Sequence, residues 1–291
     1  MGVLWIALFT LQAPAAPPAT DIYLADLRVA SGRVSVGVPV NVTARPGYDN
    51  QPFFLPDGHA FLYTSIREDS QADIYRYDIE AQTSIRLTTT RESEYSPTPL
   101  PDGSGFSAVR VEADSTQRLW AFDLDGSRPR LVLDSIKPVG YHAWADGHTL
   151  VLFVLGSPST LQIADASSRG AHGEVVARDI GRSLQRIPGR PSVSFVQRDS
   201  VAGPWLEELD TRTHRETKLV KAPPGADFFA WTPGGIVLTA SGTKLYQWDP
   251  RRGSAWDEVA DFAAAGLSSV TRLAVSPQGD RLAIVAVPAA R

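Results

Sequence analysis

The side chains with the greatest chemical capacity in this 291-residue chain are few and scattered. The histidines are His59, His142, His148, His172 and His214, and none falls in an H-E-x-x-H spacing or another metal-binding spacing. The chain has no cysteine, which removes thiolate metal sites, disulfides and Cys nucleophiles. No G-x-S-x-G nucleophile elbow, P-loop or G-x-G-x-x-G turn occurs. Three aspartates, Asp57, Asp102 and Asp146, sit beside glycines. An Asp at such a place bonds its own turn backbone, and that is the role expected for them. A second set of polar residues recurs ahead of these turns: Asp49 and Gln51, Glu94 and Ser96, Tyr141 and His142, Gln185 and Arg186, Asp227, and Thr271 and Arg272. Asp49 and Glu94 form a pair of acids that would suit a cation or an amine. The chemistry on offer is binding, and no catalytic residue is assigned.

These residues owe their spacing to a repeat, the feature to settle before any other. Leu55-Pro56-Asp57-Gly58 returns as Leu100-Pro101-Asp102-Gly103, and more loosely as Trp144-Ala145-Asp146-Gly147. Degenerate copies follow at Ile187-Pro188-Gly189, Trp231 to Gly235 and Val275 to Gly279. The glycines at 58, 103, 147, 189, 234 and 279 stand about 44 residues apart. Each turn lies between two apolar, β-favouring runs. A later strand in each unit ends near an Asp: Asp78, Asp123, Asp165, Asp210 and Asp249. Four strands in each unit match one blade of a β-propeller. Helical repeats of similar length fail, because Pro and Gly interrupt every unit. The recurring Trp120, Trp144, Trp205, Trp231 and Trp248 are expected to pack between blades.

The ends complement one another. Asp21–Leu27 and Val40–Thr43 read as the last two strands of a blade that lacks a beginning. Residues 271–275 and 281–287 read as the first two strands of a blade that lacks an end. The expected fold is all-β: a six-bladed β-propeller of four-stranded antiparallel blades, the last shared between N- and C-terminal strands. It occupies residues 21–291 as one domain. The polar set would then ring the mouth of the central channel.

The repeated P-D-G turn, strand and Asp-Ile-Tyr-x-Tyr-Asp-Ile pattern, strongest over Pro52 to Asp78 and Pro97 to Asp123, resembles the TolB-type family of six-bladed propellers. Gln82 to Thr88 resembles that family's blade ending. The resemblance implies a periplasmic propeller made for protein contact. TolB carries an additional α/β domain before its propeller, whereas only residues 1–20 stand there in this sequence.

Gly2 to Leu11 is an apolar run followed by small Ala13 and Ala15, the shape of a secretory signal peptide, with a disordered N-terminus as the other reading of residues 1–20. The run is too short to span a membrane, and none is expected in the mature chain. The formal charge of −4, without a basic run, argues against nucleic acid. The expectation is an exported, periplasmic or secreted monomer with no cofactor and no metal. It would bind another envelope protein or a small ligand through Asp49, Gln51, Glu94, Ser96, Tyr141, His142, Arg186, Asp227 and Arg272. The alternative is a small hydrolase or lactonase with a channel metal.

Overall fold

The computed structural model describes residues 17–199, 201 and 203–288. The apolar run and the Ala13/Ala15 site lie outside them. Six antiparallel sheets follow one another along the chain. Their first strands are Tyr48–Phe54, Ser93–Pro99, Val139–Trp144, Ile180–Arg186, Phe229–Trp231 and Leu267–Val275. Each first strand touches the first strand of the next sheet, and the sixth touches the first. The first strands therefore line the axis of a closed ring, and the chain is a six-bladed β-propeller.

The hairpin behind each first strand explains the repeat. The amides of Leu55, Leu100, Ala145, Ile187, Thr232 and Ser276 each bond back across a tight turn, at 2.8–3.0 Å. Gly58, Gly103, Gly189, Gly235 and Gly279 take the left-handed conformation there, which a side chain would strain. In blade five this position belongs to Gly235, one residue beyond the glycine picked out by spacing. The turn aspartates do as expected. Asp57, Asp102 and Asp146 accept the amides of His59, Ser104 and His148 at 2.9–3.0 Å.

Each hydrophobic cluster joins two neighbouring blades, and together the six clusters cover all six junctions of the ring. Four of the five tryptophans singled out lie in or against such clusters. Trp144 and Trp231 add the same inter-blade bond, donating to Ser107 and Ser194 of the preceding blade at 2.9 and 2.8 Å. Trp205 instead packs under Lys218 of its own blade.

The sixth blade is shared, as the ends implied. Asp21–Ala30 pairs antiparallel with Arg281–Pro288 from Asp21↔Ala286 to Asp26↔Arg281. Its outer edge differs from the sequence reading. Val40–Asn41 covers Tyr23 and Leu24, as foreseen, but a hairpin to Arg33–Val36 covers Leu27 to Ala30. Asp21–Ala30 is long enough to need two short partners. Thr20 then bridges to Tyr48, tying the shared blade to blade one.

Blade packing also sets a local demand at Gly126. It has φ +82°, and a Cβ there would lie 2.2 Å from the Leu87 carbonyl of the neighbouring blade. Gly126→Ala is expected to lose about 1–3 kcal/mol from backbone strain alone, with the clash added. A chemical denaturation midpoint equal to that of the parent would contradict this tight approach.

Candidate functional site

A strand lining a propeller axis sends its side chains alternately to the two faces of its blade, and both faces are covered by neighbouring blades. A side chain reaches the channel only where the backbone turns. Five of the six first strands do this near the axis. Pairing with the second strand slips at Asn50/Phe53, Tyr95/Thr98, Val139/Tyr141, Ile180/Leu184 and Val270/Arg272. Gln51 and Ser96 take positive φ of 61° and 54° at these slips. β-Bulges of this kind re-aim side chains and gather beside binding sites.

The result is a ring with one residue from each blade, always four positions before the amide that closes the hairpin: Gln51, Ser96, Tyr141, Ser183, Phe228 and Arg272. The next residues in sequence, Pro52, Pro97, His142, Leu184, Phe229 and Leu273, form a mostly apolar second layer. Both layers bound one cavity of about 50 Å³ that opens at the channel mouth, and Arg182 and Gln185 also line it.

One side of the first ring is an aromatic clamp. The Arg272 guanidinium stands 3.8 Å from the Phe228 ring centroid and 5.3 Å from that of Tyr141, and the two rings meet edge to face at 6.4 Å. Blades three, five and six therefore converge on the axis. The opposite side is small and polar. Gln51 Oε1 accepts the Thr64 hydroxyl at 2.8 Å and the Ser96 amide at 2.6 Å. The Ser96 hydroxyl has no partner. Tyr48, beside Arg272, Tyr141 and Tyr95, has its phenol pushed well above the usual range, chiefly by burial.

His142 is the polar member of the apolar layer. It is 6% exposed, and its Nε2 lies 2.7 Å from the Ser107 hydroxyl, which also takes the Trp144 indole N–H. Its Nδ1 has no partner. Burial lowers its pKa to about 3, so the imidazole is neutral at physiological pH.

The nine residues expected at the channel mouth divide. Gln51, Ser96, Tyr141, His142 and Arg272 come together at the cavity. Asp227 lines an adjoining cleft with Thr271 and Arg272. Arg186 is exposed and pairs with Val193 at the far end of its strand, away from the cavity. Asp49 and Glu94 are fully buried and outside the cavity lining. They stand two residues before the ring, where the other blades carry Val139, Gly181, Ala226 and Val270. This is an inter-blade core position, and each acid is held there by its own arginine. Arg45 lies 2.9 Å from Asp49, and Arg110 lies 3.1 Å from Glu94. Burial raises the pKa of both acids. They do not converge as a cation site. Among the described residues no three His, Asp or Glu side chains are placed to hold a metal.

Sequence reading missed Ser183, Phe228 and Arg182. The fixed offset from the hairpin-closing residue would have found the first two. The degenerate turns of blades four and five hid it.

No protein-family model and no curated protein matches the sequence significantly. Solved structures do match in shape. A protein described as a TolB from Agrobacterium tumefaciens superposes with a TM-score of 0.69 at 15% identity, covering 92% of this chain and 98% of that one. The fold is that of the TolB-like six-bladed propellers. TolB from Acinetobacter baumannii matches with a TM-score of 0.59 at 14% identity over 92% of this chain, which spans 64% of that protein. A gluconolactonase from Xanthomonas campestris matches at 0.62 and 11% identity, over 94% of this chain and 99% of that one. TolB-like architecture thus accounts for the ring, while at these identities the cavity's chemistry has to be read from its own residues.

Proposed function

We propose that this chain is an exported, TolB-like propeller that acts as a binding scaffold and not as a catalyst, with its partner or ligand held at the channel cavity. The observation that carries this reading is the first ring. Every blade gives it one side chain, five of them at a slip in strand pairing, and the Ser96 hydroxyl and Arg272 Nε have no partner among the described residues. The cavity supplies donors and aromatic surface, which recognise ligands. Its one histidine is neutral, and its near neighbours include no carboxylate to pair with it as a general base. The apolar run from Gly2 with its Ala13/Ala15 site serves as the export signal in this reading. Among the described residues no helix is long and apolar enough to cross a membrane.

The test is site-specific photo-crosslinking in envelope extract. A benzophenone side chain at Phe228, in the ring, is expected to yield a discrete adduct. The same group at Ile85, on an outer blade edge, is not. Equal labelling from both positions, or none from Phe228, would remove the channel as the binding site.

The likeness to a gluconolactonase favours a second reading, a small lactone hydrolase with a channel metal. It requires lactone turnover that depends on an added divalent ion and is lost on Phe228→Ala.

A further inference from the structure

The charge of the cavity is one-sided. Arg272 is the only charged member of the first ring, and Arg182 lines the same space. Neither makes an ion pair with any described residue, and no Asp or Glu lines the cavity. Arginines near a protein's interior ordinarily find a carboxylate, as Arg45, Arg86 and Arg110 do here at 2.7–3.1 Å. Arg272 is instead held by its flat faces. Phe228 and Tyr141 pack against it, and stacking of this kind leaves the in-plane N–H groups free. Its Nε is buried without a partner.

Other donors stand nearby without acceptors. Gln51 spends its carbonyl oxygen on Thr64 and Ser96, and its NH₂ group donates to no described residue. The Ser96 hydroxyl is likewise unpartnered among the described residues, and Gln51 is more than nine-tenths buried at the cavity wall. A cavity with a surplus of donors, a planar guanidinium fork and no acid of its own lacks one component, an anion with two oxygens in a plane. Aromatic surface from Phe53, Tyr141 and Phe228 borders it.

We propose that the channel cavity is a receptor for an organic carboxylate with an apolar body. Arg272 receives the carboxylate bidentately, and the part-exposed rings of Phe53, Tyr141 and Phe228 at the channel mouth receive the body. This rests on the binding reading above and names its ligand class. It also reverses the cation expected from Asp49 and Glu94, whose charges are already matched within the fold. A free acid and a peptide C-terminus both present this fork.

Thermal melting and titration calorimetry with defined probes test it. N-Acetylphenylalanine is expected to raise the melting temperature with concentration, and its C-terminal amide, which differs only in the charged group, is not. A free acid such as 3-phenylpropionate that shifts the melt as strongly assigns the site to small acids. A shift confined to N-acetylphenylalanine assigns it to peptide termini. Arg272→Gln is expected to weaken acid binding by about tenfold or more, and Arg272→Lys not to restore it, because an ammonium lacks the fork. Arg182→Gln, at an exposed position, weakens it less and guards against a folding defect at Arg272. Equal shifts from acid and amide, no shift from any acid, or a shift untouched in both arginine variants overturns the proposal. So does a calcium-induced shift in place of the acid one. A channel-specific crosslink from Phe228 alongside failed acid binding would sink the carboxylate and leave the scaffold reading standing.

Discussion

Removing residues 271–291 abolishes cooperative unfolding. The deletion takes away Arg281–Pro288, the only strand joining Asp21–Ala30 to Leu267–Val275. It leaves the N-terminal strand with no inner partner and strips two inter-blade clusters of Leu273, Leu282, Ala283, Ile284, Val285 and Ala286. In a repeat array each unit is stabilised mainly by its neighbours. A ring adds one more junction than an open stack, and here that junction and the sixth blade are lost together. No disulfide holds the ends, because the chain has no cysteine. A single substitution grades the effect. Ile284 is fully buried between blades five and six, and Ile284→Ala is expected to cost about 2–5 kcal/mol, as large-to-small changes in packed cores do. The measurements are urea unfolding by circular dichroism for Ile284→Ala and a calorimetric melt for the deletion. A truncated protein that still melted in one sharp transition near the parent temperature would show that the ring does not depend on its shared blade.

The ring was legible in the sequence because its cause is local and repeated. A left-handed turn position calls for glycine, the turn mouth calls for Asp, and flanking strands call for β-branched and aromatic residues. Six copies at near-constant spacing make a weak signal strong. The shared blade was legible from complementary half-units, although the Arg33–Val36 hairpin was not. Nothing in a ten-residue strand announces that its outer edge will be covered in two pieces. The site was half legible for a sharper reason. Near the axis, one step along the chain decides whether a side chain enters the channel or the space between blades, and that step depends on a bulge. Asp49 and Gln51 are two residues apart and meet opposite fates. One is sealed against Arg45, and the other lines the cavity. Polarity alone selected both. The constant offset from the hairpin-closing amide separates them, and it also picks out Phe228, an apolar residue that no search for polar groups would find.

Arg110→Ala is expected to cost about 3–5 kcal/mol at neutral pH, the penalty for leaving a buried charge without its partner. Arg110 is 6% exposed, lies over the rings of Trp120 and Phe122, and bonds Glu94 from one side while Thr90 bonds it from another. Glu94 already has a raised pKa because burial outweighs these partners. Without Arg110 the pKa rises further. A carboxyl whose folded pKa lies above its unfolded value favours folding most when protonated. Its destabilising effect is therefore complete above the folded pKa and fades as pH falls through it toward 4.5, the ordinary glutamate value. The stability gap between parent and Arg110→Ala should accordingly narrow as the pH is lowered from neutral. A gap that stays constant with pH would mean that lost packing on Trp120 and Phe122, and not an unpaired charge, causes the loss. Replacing both partners separates the causes in a second way. The position of Glu94 is apolar or glycine in the other blades except for Asp49, and a buried pair exchanged for apolar residues of similar size is often neutral. Glu94→Val combined with Arg110→Leu should therefore recover most of the stability lost by Arg110→Ala and remove the pH dependence of the gap. The acid of blade two is then a charge the fold tolerates inside an inter-blade core, and the channel keeps only the charge of its arginines.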